Sequence, residues 1–182
     1  MSAFGPHEPA DADRFAQMLR EHLPQAGRLA VRLCGDEHAA EDLLGESMLR
    51  AVRARDGYRG EAAFATWLYA IVVNAFRDSL RAKETRRPTL RLAGDEAVPP
   101  AAPATGTRRL EAMELGQRVA GHVSALPPRQ REAIVLTIYE GLSTDEAAVV
   151  MDTTATNVRV LVHHARLRLK QELADLVEVK NA

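Results

Sequence analysis

One cysteine, Cys34, serves a chain of 182 residues. A single thiol forms no intramolecular disulfide and completes no cysteine-based zinc site. Aromatic residues make up only 4% of the chain, which disfavours a β-sandwich and suits aliphatic helical packing. No apolar run approaches the roughly 18 residues needed to span a bilayer. The N-terminal MSAFGPHEPADAD lacks the basic-then-apolar order of a signal peptide, so a cytoplasmic protein without membrane insertion is expected. No nucleophile–base pair and no phosphate-cradling glycine loop appears. Neither an enzyme, nor a cofactor, nor a small-molecule substrate is expected. Histidines 163 and 164 are adjacent, but neighbours on a helix diverge by about 100°. No carboxylate or cysteine stands at ligand spacing beside them, and no metal site is expected.

The formal net charge of −1 excludes a uniformly basic nucleic-acid binder, although local patches matter more than the sum. Asp36 to Glu46 holds five acidic residues and no Lys or Arg, whereas Arg77 to Arg91 holds six basic residues against two acidic. One surface therefore suits a basic protein partner and the other suits phosphate. Hydrophobic residues reach 46%, enough for a folded core, and helix formers dominate over strand-like alternation. The fold class is all-α.

Proline and glycine divide the chain. Residues 88–107, PTLRLAGDEAVPPAAPATGT, contain four of the nine prolines and no helical period. Such a stretch is long for a loop inside a compact domain, and reads as a flexible linker reaching roughly 66–72 Å when extended. Two small helical domains follow, at residues 10–87 and 108–177. In the first, Asp11 or Asp13 starts a helix carrying Phe15, Met18 and Leu19. Pro24 interrupts it and opens a second helix, Gln25–Cys34. Gly35 ends that helix, Asp36 caps the next at His38–Arg55, and a fourth runs over Ala62–Lys83. The second domain opens with an amphipathic helix at Arg108–Ser124.

Leu126–Leu169 carries the strongest local signals. Pro127 and Pro128 suit the start of a lead helix, and Gly141 closes it. Ser143 and Glu146 have capping-box spacing for a short scaffold helix. Thr153 or Thr154 can cap a third helix whose Val158, Leu161, Val162, Ala165 and Leu169 form one apolar face. Asn157, Arg159, Arg166 and Arg168 lie outside that face and can meet bases or phosphates. The segment is a helix-turn-helix candidate. In the first domain, Asn74, Arg77, Asp78 and Arg81 recur at i, i+3, i+4, i+7 as a polar stripe. Asparagine can bond an unpaired base, and arginines can hold phosphates.

Three segments in this order carry a family resemblance: AAEDLLGESMLRA (Ala39–Ala51), YRGEAAFATWLYAIVVNAFRDSLR (Tyr58–Arg81) and the region Leu126–Leu169. The chain resembles bacterial RNA polymerase sigma factors of the small, extracytoplasmic-function (ECF) type. The resemblance implies binding to core RNA polymerase and to promoter DNA, with an anti-sigma factor as a further partner. It implies a polymerase-clamp contact through Glu41, Asp42, Leu43, Leu44, Glu46 and Met48, since acidic and exposed apolar groups side by side suit docking. It implies melting and reading of the −10 element by Tyr58, Arg59, Asn74, Arg77, Asp78 and Arg81, with a base pocket near Asp56–Ala63. Phe64 and Trp67 read as core. It implies −35 contacts from Thr154, Thr156, Asn157 and Arg159, with His163, Arg166 and Arg168 nearer the backbone.

The chain also departs from the family pattern. Gly45 stands where the clamp-binding helix usually has Gln. Asp152 replaces a turn Gly, which implies a left-handed backbone at a non-glycine residue. Val160 and Leu161 occupy positions that usually hold a small polar residue and an arginine on the DNA face. These two motivate an alternative reading, a sigma-like interaction protein that sequesters an anti-sigma factor.

Overall fold

The computed structural model describes residues 9–60, 62–86 and 107–178. Of the expected linker, all but Thr107 lies outside the described residues. The element order is α1 (Pro9–Cys34), α2 (Glu37–Arg53), a 3₁₀ turn (Arg55–Gly57), α3 (Phe64–Arg86), α4 (Thr107–Ala125), α5 (Pro128–Ile134), a π-helical turn (Val135–Tyr139), α6 (Thr144–Met151) and α7 (Ala155–Glu178). Among the described residues there is no strand, in agreement with the all-α reading.

One sequence expectation is corrected. Pro24 does not separate two helices but sits inside the continuous α1. Its ring removes one backbone donor, yet it lies on the solvent face of α1, where the freed carbonyl can meet water. The first domain is therefore a bundle of three helices rather than four. Its core joins Ala26, Leu29, Ala30 and Leu33 of α1 to Leu43 and Ala51 of α2 and to Leu68, Val72, Val73 and Phe76 of α3. The one buried hydroxyl on α2, Ser47, donates to the Leu43 carbonyl at 2.6 Å.

The expected caps are present. The Asp36 carboxylate accepts from the Ala39 amide at 2.8 Å. Gly35 takes φ +72° and so ends α1 with a turn that L-residues rarely adopt. Ser143 and Glu146 form the complete capping box of α6. Thr154, not Thr153, caps α7, its hydroxyl accepting from the Asn157 amide. Asp152 is left-handed at φ 49°, as the missing glycine implied. The lead helix of the second domain was not legible in one respect, because it finishes as a π-turn. Glu140 N donates to Val135 O there at 3.0 Å, which keeps Val135 and Leu136 buried while exposing Ile138 and Tyr139.

The two helical sets pack on each other and share one continuous apolar core. α6 lies against α3, and the end of α4 lies against the end of α1. At the second contact a Cβ on Gly35 would meet Ser124 Cβ at 2.4 Å. Only a glycine admits this approach.

Candidate nucleic-acid interface

α7 presents its predicted contact residues to solvent. Val158 and Ala165 are fully buried, and Leu161, Val162 and Leu169 pack against the core. The capping and packing turn the opposite face outward, so Thr154, Thr156, Asn157, Arg159, His163 and Arg166 are all exposed. Among the described residues no ion pair engages Arg159 or Arg166. Asn157 is braced by a bond from its amide to Thr153 Oγ1 at 2.9 Å. Leu161, which the helical period placed on the inner face and the family pattern on the DNA face, packs against the core, on the same side as Val158 and Ala165 at 3.6 residues per turn. Val160 is 45% exposed and does interrupt the polar face. Leu167, one heptad on, is exposed beside it and was not singled out from sequence.

The α3 stripe has a different environment. Asn74 is exposed. Arg77 has three partners: its Nε and Nη2 donate to the two oxygens of Glu132 at 3.0 and 2.7 Å, Nη2 also donates to the Met151 carbonyl, and Nη1 donates to Asn74 Oδ1 at 3.3 Å. The Arg77 side chain retains 17% exposure and Glu132 none. Asp78 accepts from Arg50 of α2 at 2.5 Å and from Arg81. Those arginines hold its carboxyl below the usual range, Arg50 foremost. Asp78 thus organises two cations rather than presenting a free negative charge.

Before α3, Tyr58 joins an aromatic cluster. Its ring centroid lies 5.2 Å from both Phe64 and Trp67, and its hydroxyl donates to the Ala62 carbonyl. Phe64 is buried, as expected, but Trp67 keeps partial exposure. Trp67 packs against the core, as expected, while leaving part of its ring open beside Tyr58. Arg59 is exposed next to them.

On α2, Glu41, Asp42 and Glu46 face solvent, while Leu44 and Met48 pack partly on the core. Leu43 is only 5% exposed. It supports α2 from within and cannot itself touch a partner, which corrects its expected contact role. The exposed apolar groups are Leu49 and Val52, at 55% and 50%, one turn further on. A Cβ at Gly45 would meet nothing within 4 Å, so nothing in the structure requires glycine there. Among the described residues, no group of three or more His, Cys, Asp or Glu is placed to hold a metal ion, and no helix is long and apolar enough to cross a membrane.

Comparison with known proteins adds an independent line. Residues 18–86 match the family described as Sigma-70 region 2, and residues 122–169 match Sigma-70, region 4. The ECF RNA polymerase sigma factor SigE of Mycolicibacterium smegmatis is 33% identical over 164 residues, covering 87% of this chain and 61% of the relative. The RNA polymerase sigma-H factor of Pseudomonas aeruginosa is 31% identical over 159 residues, covering 82% of this chain and 80% of the relative. Among solved structures, the sigma factor RpoE in complex with the anti-sigma factor NepR from Bartonella quintana superposes with a TM-score of 0.72 at 25% identity. That match covers 88% of this chain and 97% of the other. Two matched regions in the right order, on a helical frame whose caps and core account for both, assign the family: the chain belongs to the ECF-type RNA polymerase sigma factors.

Proposed function

We propose that the chain is a promoter-specificity subunit: it binds core RNA polymerase and directs initiation by opening the −10 region and reading the −35 element. Residues 10–87 supply the polymerase and −10 functions, and residues 108–177 the −35 function, with 88–107 as the connection. It does no covalent chemistry. Binding energy spent on unstacked bases offsets part of the melting cost.

The observation that carries this reading is the exposed start of α7, with Thr156, Asn157, Arg159 and Arg166 above a packed inner face and no ion pair on Arg159 or Arg166 among the described residues. Side chains of these types can contact base edges and phosphates in a major groove. Glu41, Asp42 and Glu46 on α2, beside exposed Leu49 and Val52, fit a basic and apolar polymerase surface better than the buried Leu43 does. Leu44 and Met48 contribute at the edge of that surface. Tyr58, Arg59 and Trp67 supply stacking and phosphate contact for a displaced strand. Asn74, Arg77 and Arg81 act on the same strand, with Asp78 holding Arg81 in place.

An anti-sigma factor is a fitting partner, since the RpoE structure is of such a complex. The alternative, a sigma-like protein that only sequesters an anti-sigma factor, rested on Val160 and Leu161, and Leu161 faces inward.

Run-off transcription with purified core polymerase tests the proposal. The wild type should yield a promoter-specific transcript, and Asn74→Ala should reduce it at least fivefold without changing polymerase binding. A chain that binds an anti-sigma protein but yields no transcript is a mimic.

A further inference from the structure

Polar contacts join the second domain to the first, most of them from its lead helix and the end of its π-turn, with one more from α6, where the Met151 carbonyl accepts from Arg77. Glu132 holds Arg77 in a two-pronged pair. Glu140 accepts from Arg32 at 2.7 Å and from the Tyr69 hydroxyl at 3.0 Å. Arg131 donates to the Leu33 carbonyl at 2.6 Å, near the C-terminus of α1 where a cation is favoured, and stands 5.7 Å over the Phe76 ring. The steric fit of Ser124 on Gly35 closes the same seam.

We propose that this seam is an autoinhibitory latch in which the Glu132 carboxylate occupies the Arg77 guanidinium that −10 DNA would otherwise engage. The proposal rests on the sigma-factor reading. A guanidinium pairs in the same forked geometry with a carboxylate and with a phosphate, so the two partners compete for one group. The closed arrangement is also incompatible with reading both elements. Elements 25 base pairs apart lie about 85 Å apart on duplex DNA, at 34–36 Å per turn. With α6, the scaffold helix of the −35 reader, packed on α3, the two readers are in contact. Polymerase and promoter binding must therefore separate them.

The pair is built to part without stranding a charge. Glu132 is fully buried when closed, where an unpaired carboxylate is strongly disfavoured. Arg129, on its own helix three residues earlier, also bonds it at 3.1 Å and stays with it on opening. Glu132→Gln removes the carboxylate that Arg77 needs in the closed state and changes little once that surface meets water. Ser124→Trp opens the seam by volume alone, since Gly35 leaves no room opposite it.

Both variants are compared with the wild type as full-length chains. Two readouts are used: the concentration of chain giving half-maximal run-off transcription with core polymerase, and the alkylation rate of Cys34. This half-buried thiol lies next to the seam, within the field of Arg131, and burial pushes it up to about 11. A closed fraction of about 90% lowers apparent affinity about tenfold. Each variant should therefore reach half-maximal transcription at about one tenth of the wild-type concentration, with faster Cys34 alkylation. If Glu132→Gln does not fold, Ser124→Trp alone decides. Wild-type transcription with neither readout changed in the variants overturns the latch and leaves the sigma reading intact. No transcript from any of the three chains overturns the sigma reading, and with it the competition for Arg77.

Discussion

The two surfaces proposed to meet DNA are built from similar residues but stand in opposite states. The α7 face is presented: Arg159 and Arg166 have no ion pair among the described residues, and the buried face beneath them fixes their direction. The α3 stripe is withheld: Arg77 is held by Glu132, and Asp78 is shared between Arg50 and Arg81. The same guanidinium chemistry is left open to solvent in one place and tied into the fold in the other. What differs is the neighbour each arginine is given, not the arginine.

Substitutions on the presented face should break the contrast most strongly. Arg159→Ala should weaken binding to a −35-containing duplex by about 5- to 150-fold if Arg159 contacts a base edge, since such contacts discriminate by about 1–3 kcal/mol. If Arg159 holds only a phosphate, the loss should be similar on all sequences and the log–log salt slope should fall by about one. Val160→Arg, which places a cation on an exposed apolar site of that face, should act in the opposite direction and steepen the slope by about one. Titrations at several salt concentrations measure both. An unchanged slope for Val160→Arg would mean that residue 160 does not face the phosphates.

A smaller effect is expected from pH on the withheld side. Burial first, and the Glu140 carboxylate second, push the Tyr69 phenol from its ordinary 10.0 to about 12. The closed state holds this proton more tightly than the open one. Its contribution is therefore complete below pH 10 and is lost as pH rises towards 12. Cys34 alkylation, corrected for thiolate fraction, should accelerate across that window in the wild type. The acceleration should be weaker in Tyr69→Phe, which has no phenol to ionise. Equal profiles would remove Tyr69 from the seam.

Much of this was legible from the chain. The caps at Asp36, Ser143 and Thr154, the end of α1 at Gly35 and the left-handed Asp152 follow from local chemistry, which acts within four residues and leaves a sequence signature. The inner face of α7, Leu161 included, was legible from its period, whereas the family pattern had placed residue 161 on the DNA face. Pro24 misled because a proline's effect depends on which side of the helix faces water, and that is a tertiary property. Leu43 misled for a similar reason, since an apolar residue on an acidic helix has no local mark of burial. The seam was not legible at all. Glu132, Glu140 and Arg131 look like ordinary charges of an exposed helix, and their partners lie 55 to 108 residues away in sequence. Charge pairs at that separation leave no periodic trace.

The most direct test is the distance between the two domains, measured by pulsed electron paramagnetic resonance with spin labels at exposed Arg53 and Lys170 in a Cys34→Ser background. The free chain should give a distribution dominated by one short distance. Binding core polymerase and promoter DNA should replace it by one longer by tens of ångströms, on the scale of the about 85 Å between elements 25 base pairs apart. The same distance in both states would contradict a withheld reader released by the polymerase.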